Sequence, residues 1–260
     1  MTKIWHYTSH HAALNIWKTQ SLRLSSIDFL NDSSEQLFFL KELDIFLSSY
    51  ECKESRDLKF LKHAVRHRLG FNPSYISCFS LDGDDVSQWE RYGDNARGVA
   101  ICFNKNELDN IQIPSLGSIK YLNSGELQQL FQEFHKKHNF AKKEWSEMVL
   151  QMSLLYKQPH FKSEQEVRII MSMAEDKLTI EDNFFAREDC ICPCVFLDFP
   201  TNAVLEIKMG PKARSNAIIG WQKLTDPNFR QNNINKWGNM ADDFPYKISL
   251  PITQSQCTLV

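Results

Sequence analysis

The run YISCFSLDGDDVSQWERYGDNARGVAICF, residues 75–103, decides the fold class. Its two ends, Tyr75–Ser80 and Val99–Phe103, are short stretches rich in aromatic and β-branched residues and bounded by turn formers, which is how strands read. Between them, Asp82-Gly83-Asp84-Asp85 and Gly93-Asp94 supply residues that tolerate tight turns. Val99-Ala100-Ile101-Cys102-Phe103 is apolar at every position, so neither face suits water, and a central strand is predicted.

Upstream, the pattern is mostly helical. Ile4-Trp5-His6-Tyr7 reads as a short first strand, and Thr8-Ser9 can cap a helix carrying Ala13, Leu14 and Trp17. Leu22 and Leu24 suggest a brief strand. Asp32 and Glu35 have capping-box spacing ahead of Leu37, Phe38, Leu40, Leu43 and Leu47, which predicts a helix over 33–49. Leu58, Leu61, Val65 and Leu69 form one stripe that Gly70 ends, predicting a helix over 56–69. Downstream, a strand is predicted over 118–122, then a helical region over 124–156 interrupted near Asn139. Late strands follow at 167–173, 191–197 and 204–209, with a helix at 212–222 after Gly210-Pro211. Without a repeat or a linker, the reading is one α+β domain over 1–260, with a motif-bearing core of about 4–220 and an extension over 221–260.

At 260 residues the chain exceeds the roughly 150 of a typical domain and can bury a sizeable core. Lys plus Arg is 30 against 32 for Asp plus Glu, so the formal charge of −2 lacks the basic surplus of a dedicated duplex binder. Phe is abundant at 18 and Gly scarce at 9, which argues against long disorder and glycine-rich phosphate loops. No run approaches the ~18 apolar residues of a membrane helix, and mean hydropathy is −0.40, so no membrane partner is expected. The opening residues lack a signal-peptide pattern. Cys52, Cys78, Cys102, Cys190, Cys192, Cys194 and Cys257 are odd in number and several lie in apolar runs, which suits reduced thiols in a cytoplasmic protein.

The densest chemical pattern is Phe161-Lys-Ser-Glu164-Gln-Glu166-Val-Arg168. On a strand, Glu164, Glu166 and Arg168 would line one face and Val167, Ile169 and Met171 the other. The plainer reading of that alternation is the solvated outer face of an edge strand. His6-Tyr7-Thr8, where the first strand meets a helix, is by itself a structural trio, with Thr8 explained as a cap. After Cys78-Phe79-Ser80, Trp89 and Tyr92 either pack as core or form a flat wall for a planar ring. His63 and His67 share a helical face but lack the carboxylate of HExxH. Cys190, Cys192 and Cys194 share a strand face, yet zinc knuckles are normally CxxC turns, so no metal is expected. GxGxxG, Walker and GxSxG signatures are all absent.

Taken in order, these clusters resemble a known pattern. HYT (His6, Tyr7, Thr8), then Asn31, Asp32 and Glu35, then CFS (Cys78–Ser80), then Trp89, Tyr92 and Gly93 followed by GVAICF, then Lys157 with Glu164, Glu166 and Arg168, and finally Ile207 with Gly210-Pro211 look like the bacterial domain-of-unknown-function family 2971 over about residues 4–220. Phe161 stands where that family often has Trp, and Ser33 where Pro often follows Asn-Asp. An N-terminal His on the first strand, central aromatics with a Ser, and a late Glu-x-Glu are in turn similar to the site of ADP-ribosyltransferases, including bacterial toxins that modify DNA or protein. That resemblance implies a split antiparallel or mixed sheet, helices gathered in the N-terminal third and the middle, and a cleft that binds NAD as co-substrate. It implies that His6 contacts the adenosine ribose, Thr8 fixes that ribose, and Tyr7 and Ser80 help line the site. Trp89 or Tyr92 would stack on nicotinamide, Glu166 would hold the nicotinamide-ribose 2′-hydroxyl, and Glu164 would orient the acceptor. Asn31 and Asp32 would belong to the substrate side. Arg168 would reach the pyrophosphate or pair with Glu164.

The resulting expectation is an NAD-dependent mono-ADP-ribosyltransferase or NAD glycohydrolase, acting as an intracellular toxin or anti-phage effector on a protein or nucleic-acid acceptor. A neutralising antitoxin or a sensor protein would be its partner. Two other classes stand beside it: a non-enzymatic module that senses a nucleotide or a partner, and a metal-dependent nuclease or hydrolase using Glu164, Glu166 and Asp32.

Overall fold

The computed structural model describes residues 2–29, 33–49, 74–111, 115–138, 145, 148–149, 152–172, 183–186, 190–226 and 249–258. Along the chain run β1 (Lys3–Thr8), α1 (His10–Thr19), β2 (Ser21–Ser26), α2 (Ser33–Ser48), β3 (Ser74–Ser80), α3 (Val86–Arg91), β4 (Val99–Asn104), α4 (Lys105–Asp109), β5 (Ser115–Ser118), β6 (Lys120–Tyr121), α5 (Ser124–His138), β7 (Tyr156–Lys157), β8 (Glu166–Ser172), β9 (Asn183–Ala186), β10 (Ile191–Asp198), β11 (Val204–Met209), α6 (Ser215–Thr225) and β12 (Ile252–Gln254). Short 3-10 turns lie at Ile27–Phe29, Pro159–Glu164 and Thr201–Ala203. The fold is α+β with a mixed sheet. Two compact units can be separated, one made of residues 1–23, 78–116 and 196–260, the other of 24–77 and 117–195.

In the first unit β4 is central, and all six of its residues are buried, as an apolar run without a polar face requires. β1 pairs with it antiparallel, from Lys3 opposite Asn104 to Thr8 opposite Val99. β11 pairs antiparallel on its other side, and β12 adds parallel to β11. β3 meets β1 at Trp5 opposite Ser80. Alternation along β1 then sorts its side chains. Trp5 and Tyr7 pack with Trp89, Ala96, Ala100 and Cys102. Ile4 and His6 point the other way, where the His6 ring lies 5.5 Å from Phe79 and Phe79 meets Phe103 edge-on at 5.7 Å. Ser9 caps α1 by accepting a hydrogen bond from Ala12 N at 3.2 Å, and α1 buries Ala13, Ile16 and Trp17.

One close approach explains the Gly-Pro motif. Gly210 N donates to Gly98 O at 2.9 Å, and a Cβ on Gly210 would lie 2.5 Å from the Ala96 carbonyl oxygen, so a side chain there would press backbone against backbone.

In the second unit α2 and α5 close over the helical residues Trp145, Met148 and Val149. Their core is Phe39, Leu40, Leu43, Phe46, Leu47, Leu127 and Phe131, with Phe39 edge-on to Phe131 at 5.4 Å and Phe46 stacked on Trp145 at 5.9 Å. Burying each of these large side chains contributes roughly 1.5–3 kcal/mol, more than helix propensity could.

Several boundaries differ from the sequence reading. The single strand over 118–122 is two, β5 and β6, separated at Ile119, whose N–H donates instead to Glu166 O at 2.9 Å. Tyr156, read as the end of a helix, is in β7, parallel to β6. The helix predicted at 212–222 is Ser215–Thr225, because Ala213 N closes a turn onto Gly210 O at 2.9 Å. The helix over 56–69 with His63 and His67, the interruption near Asn139, and the substrate-side pair Asn31 and Asp32 lie outside the described residues.

Candidate functional site

In the second unit the acidic motif is built by a local turn. Pro159 starts a 3-10 helix that ends at Glu164; Gln165 then takes a left-handed conformation, φ 45° and ψ 46°, and β8 begins at Glu166. Glu164 is therefore not on the strand, and strand alternation relates only Glu166 and Arg168. The reversal at Gln165 still brings both acids to one ammonium. Lys157 Nζ lies 2.7 Å from Glu164 Oε2 and 2.7 Å from Glu166 Oε2. Arg168 Nε donates to Glu166 Oε1 at 2.6 Å and its Nη2 to Oε2 at 3.0 Å, while Nη1 donates to Leu154 O at 2.9 Å. Glu166 N donates to the Tyr121 hydroxyl at 2.8 Å. Lys157, Glu164, Glu166 and Arg168 are 4, 5, 7 and 6% exposed, so the solvated outer face is overturned: two cations and two anions neutralise one another inside the protein. Burial raises the Tyr121 pKa, against the opposing effect of the Glu166 N–H bond, and keeps the phenol protonated.

Lys157 is the residue that sequence reasoning left without a role. It sits on a separate strand, where no local spacing ties it to the acids.

In the first unit the predicted aromatic and histidine residues divide between the two faces of β1. The Tyr7 hydroxyl donates to Asp82 O at 2.9 Å and accepts from Asp85 N at 3.1 Å, and its ring meets Trp89 edge-on at 4.7 Å. Burial holds the Tyr7 pKa far above its ordinary value, with the three aspartates Asp82, Asp84 and Asp85 adding to it. Trp89 is fully buried, and its Nε1 donates to Asp84 Oδ1 at 2.8 Å, so it has no ring face to offer nicotinamide. Tyr92, just past α3, is 47% exposed. Ser80 is buried and accepts from Asp82 N at 3.1 Å, which fixes the turn rather than facing a cleft. Half-buried Thr8 points to the His6 side of the strand.

His6 is also half-buried. Its Nδ1 lies 2.9 Å from Cys78 O, and because a carbonyl only accepts, Nδ1 carries the proton and Nε2 presents a lone pair. Burial holds the His6 pKa below its ordinary value, opposed by that hydrogen bond and helped by the Arg23 charge. The imidazole is thus a neutral acceptor at neutral pH.

Asp84, unassigned by the sequence reading, gathers the C-terminal segment. Besides Trp89 it accepts from the Ser255 hydroxyl and from Gln256 N at 2.8 Å, and its carbonyl accepts from Cys257 Sγ at 2.6 Å. Burial alone would raise its pKa, but the Ser255, Gln256 and Trp89 hydrogen bonds and the Lys208 charge outweigh it and hold Asp84 below the ordinary carboxylate value.

Among the described residues no group of three or more His, Cys, Asp or Glu side chains is placed to hold a metal, and no helix is long and apolar enough to cross a membrane. A pocket of about 360 Å³ in the first unit is lined by Gln222, Thr225, Asp226 and Leu250 among others, and by none of the predicted site residues.

Residues 88–169 match the family model described as "Protein of unknown function (DUF2971)". The DUF2971 match holds Trp89, Tyr92, Gly93, all of β4 and the Lys157, Glu164, Glu166, Arg168 cluster; it stops short of His6 and Gly210, which the longer motif series also includes. No curated protein and no solved structure matches the chain.

Proposed function

We propose that the protein consumes NAD, as a mono-ADP-ribosyltransferase or an NAD glycohydrolase. The observation that carries this reading is the convergence of Glu164 and Glu166, two residues apart, on one Lys157 ammonium at 2.7 Å each. Cleaving NAD breaks the bond between the nicotinamide nitrogen and the ribose anomeric carbon. The electron pair leaves with nicotinamide, and an acceptor oxygen or nitrogen, or water, attacks the oxocarbenium-like carbon. A fixed carboxylate stabilises that positive charge, and such groups are commonly worth about 10²–10³ in rate. In this reading Glu166 exchanges one contact to Lys157 or Arg168 for the ribose 2′-hydroxyl, and Glu164 orients the acceptor. Cytoplasmic action as a toxin or phage-defence effector, restrained by a partner protein, belongs to the same proposal.

The test is isotopically labelled NAD with the purified chain, following free nicotinamide and transferred label by mass spectrometry. Nicotinamide release by wild type, insensitive to chelator, supports the proposal; a folded wild type that releases none overturns it. One observation favours a second reading: the four buried charges are already matched within the protein, as a structural or nucleotide-sensing module requires. Saturable NAD binding without nicotinamide release identifies that case, and activity lost on chelation points instead to a metal-dependent hydrolase.

A further inference from the structure

We infer that Cys190 and Cys192 form a redox-active dithiol, a modification site at which a hydroperoxide closes a reversible disulfide. In the second unit β10 pairs antiparallel with β9, with Cys192 opposite Phe185 and Cys194 opposite Asn183. Residues two apart on a strand share a face, and Cys190, one residue before β10, brings its Sγ to 3.4 Å from that of Cys192. A disulfide is about 2.05 Å long, so closure asks the sulfurs to approach by about 1.4 Å, within reach of a side-chain rotation. The third cysteine is engaged elsewhere, with Cys194 Sγ donating to Asn183 O at 3.2 Å, so the run works as a pair.

Exposure divides the roles. Cys190 is partly exposed and Cys192 fully buried. The Cys190 thiolate attacks a peroxide oxygen and the O–O bond breaks, giving a sulfenic acid and hydroxide, or alkoxide from an organic peroxide. The Cys192 sulfur then displaces hydroxide from the sulfenic sulfur, its proton leaving as water, and the S–S bond forms. Two thiols lose two electrons in all, and one peroxide is reduced. In a reducing compartment such a bond is transient, which suits a sensor.

The test is titration of the reduced full chain with hydrogen peroxide, read by non-reducing intact mass and by peptide mapping with alkylation before and after dithiothreitol. The expected product has lost two hydrogen atoms, links Cys190 to Cys192, and reverts on reduction; Cys194→Ser retains it and Cys190→Ser abolishes it. Cys190 ending as a sulfinic acid, a dimer joined through Cys190, or a link from Cys192 to Cys194 overturns the inference. Because the wild-type map alone distinguishes these products, the result stands even if a variant does not fold.

Discussion

Lys157 answers two carboxylates with one ammonium, and Arg168 closes on Glu166 with two nitrogens, so removing any member upsets the balance of these four buried charges. Lys157→Met is expected to cost about 3–5 kcal/mol, measured as a lowered urea midpoint. Glu166→Gln is expected to fall in the same range, because an amide cannot satisfy both the guanidinium fork and the ammonium. A test of the proposed NAD turnover in that variant therefore counts only for the fraction of protein that melts as folded. His6 adds a pH term. Its folded pKa lies below the unfolded value of 6.5, so the unfolded chain takes up the proton first as pH falls. The stabilisation is complete above that value and is lost on the way down toward the folded pKa. Urea midpoints between about pH 7.5 and about pH 5.5 should fall more steeply for wild type than for His6→Gln; equal slopes would refute the assignment. At this scale the shared strand face of Glu166 and Arg168 was legible in sequence; the exit of Glu164 from the strand at left-handed Gln165 was not, nor was the burial, since alternation says which residues share a face and never what covers it. The opposite orientations of His6 and Tyr7 follow from the strand period, which the sequence reading did not apply when it grouped the two in one site.

The last described residues act as an element although they contain only a three-residue strand. β12 lies parallel to β11, Ser255 N donates to Met209 O at 2.9 Å, and Gln254 Nε2 donates to Gly210 O at 2.8 Å, after which Ser255, Gln256 and Cys257 close on Asp84. Asp84→Ala should destabilise by about 1.5–3 kcal/mol, the usual worth of hydrogen bonds to a charged group. Deleting residues 252–258 should cost more, and adding Asp84→Ala to that deletion should cost much less than the single substitution, a coupling read from a double-mutant cycle of melting curves. Three residues are too few for any hydrophobic period, which is why a strand after residue 250 escaped the sequence reading. The short helices α3 and α4 escaped for the same reason: at six and five residues, neither completes two turns.

At the scale of the molecule, the α+β class followed from the uninterrupted apolar run Val99–Phe103 and the helical stripe Leu37–Leu47. The division into two units did not. Its boundaries fall inside β2, β3, β5 and β10, at 23/24, 77/78, 116/117 and 195/196, and of these only 116/117 falls on a glycine, Gly117, so a strand pattern hides the rest. That division also bears on synthesis. β4, buried at every position, leaves the ribosome long before its antiparallel neighbour at Val204–Met209 exists. Until then the nascent chain carries an apolar strand with one open edge, the condition under which edges recruit other chains. Fragments ending before Val204 should accumulate in the pellet and require a chaperone, whereas chains extending through Cys257 should not.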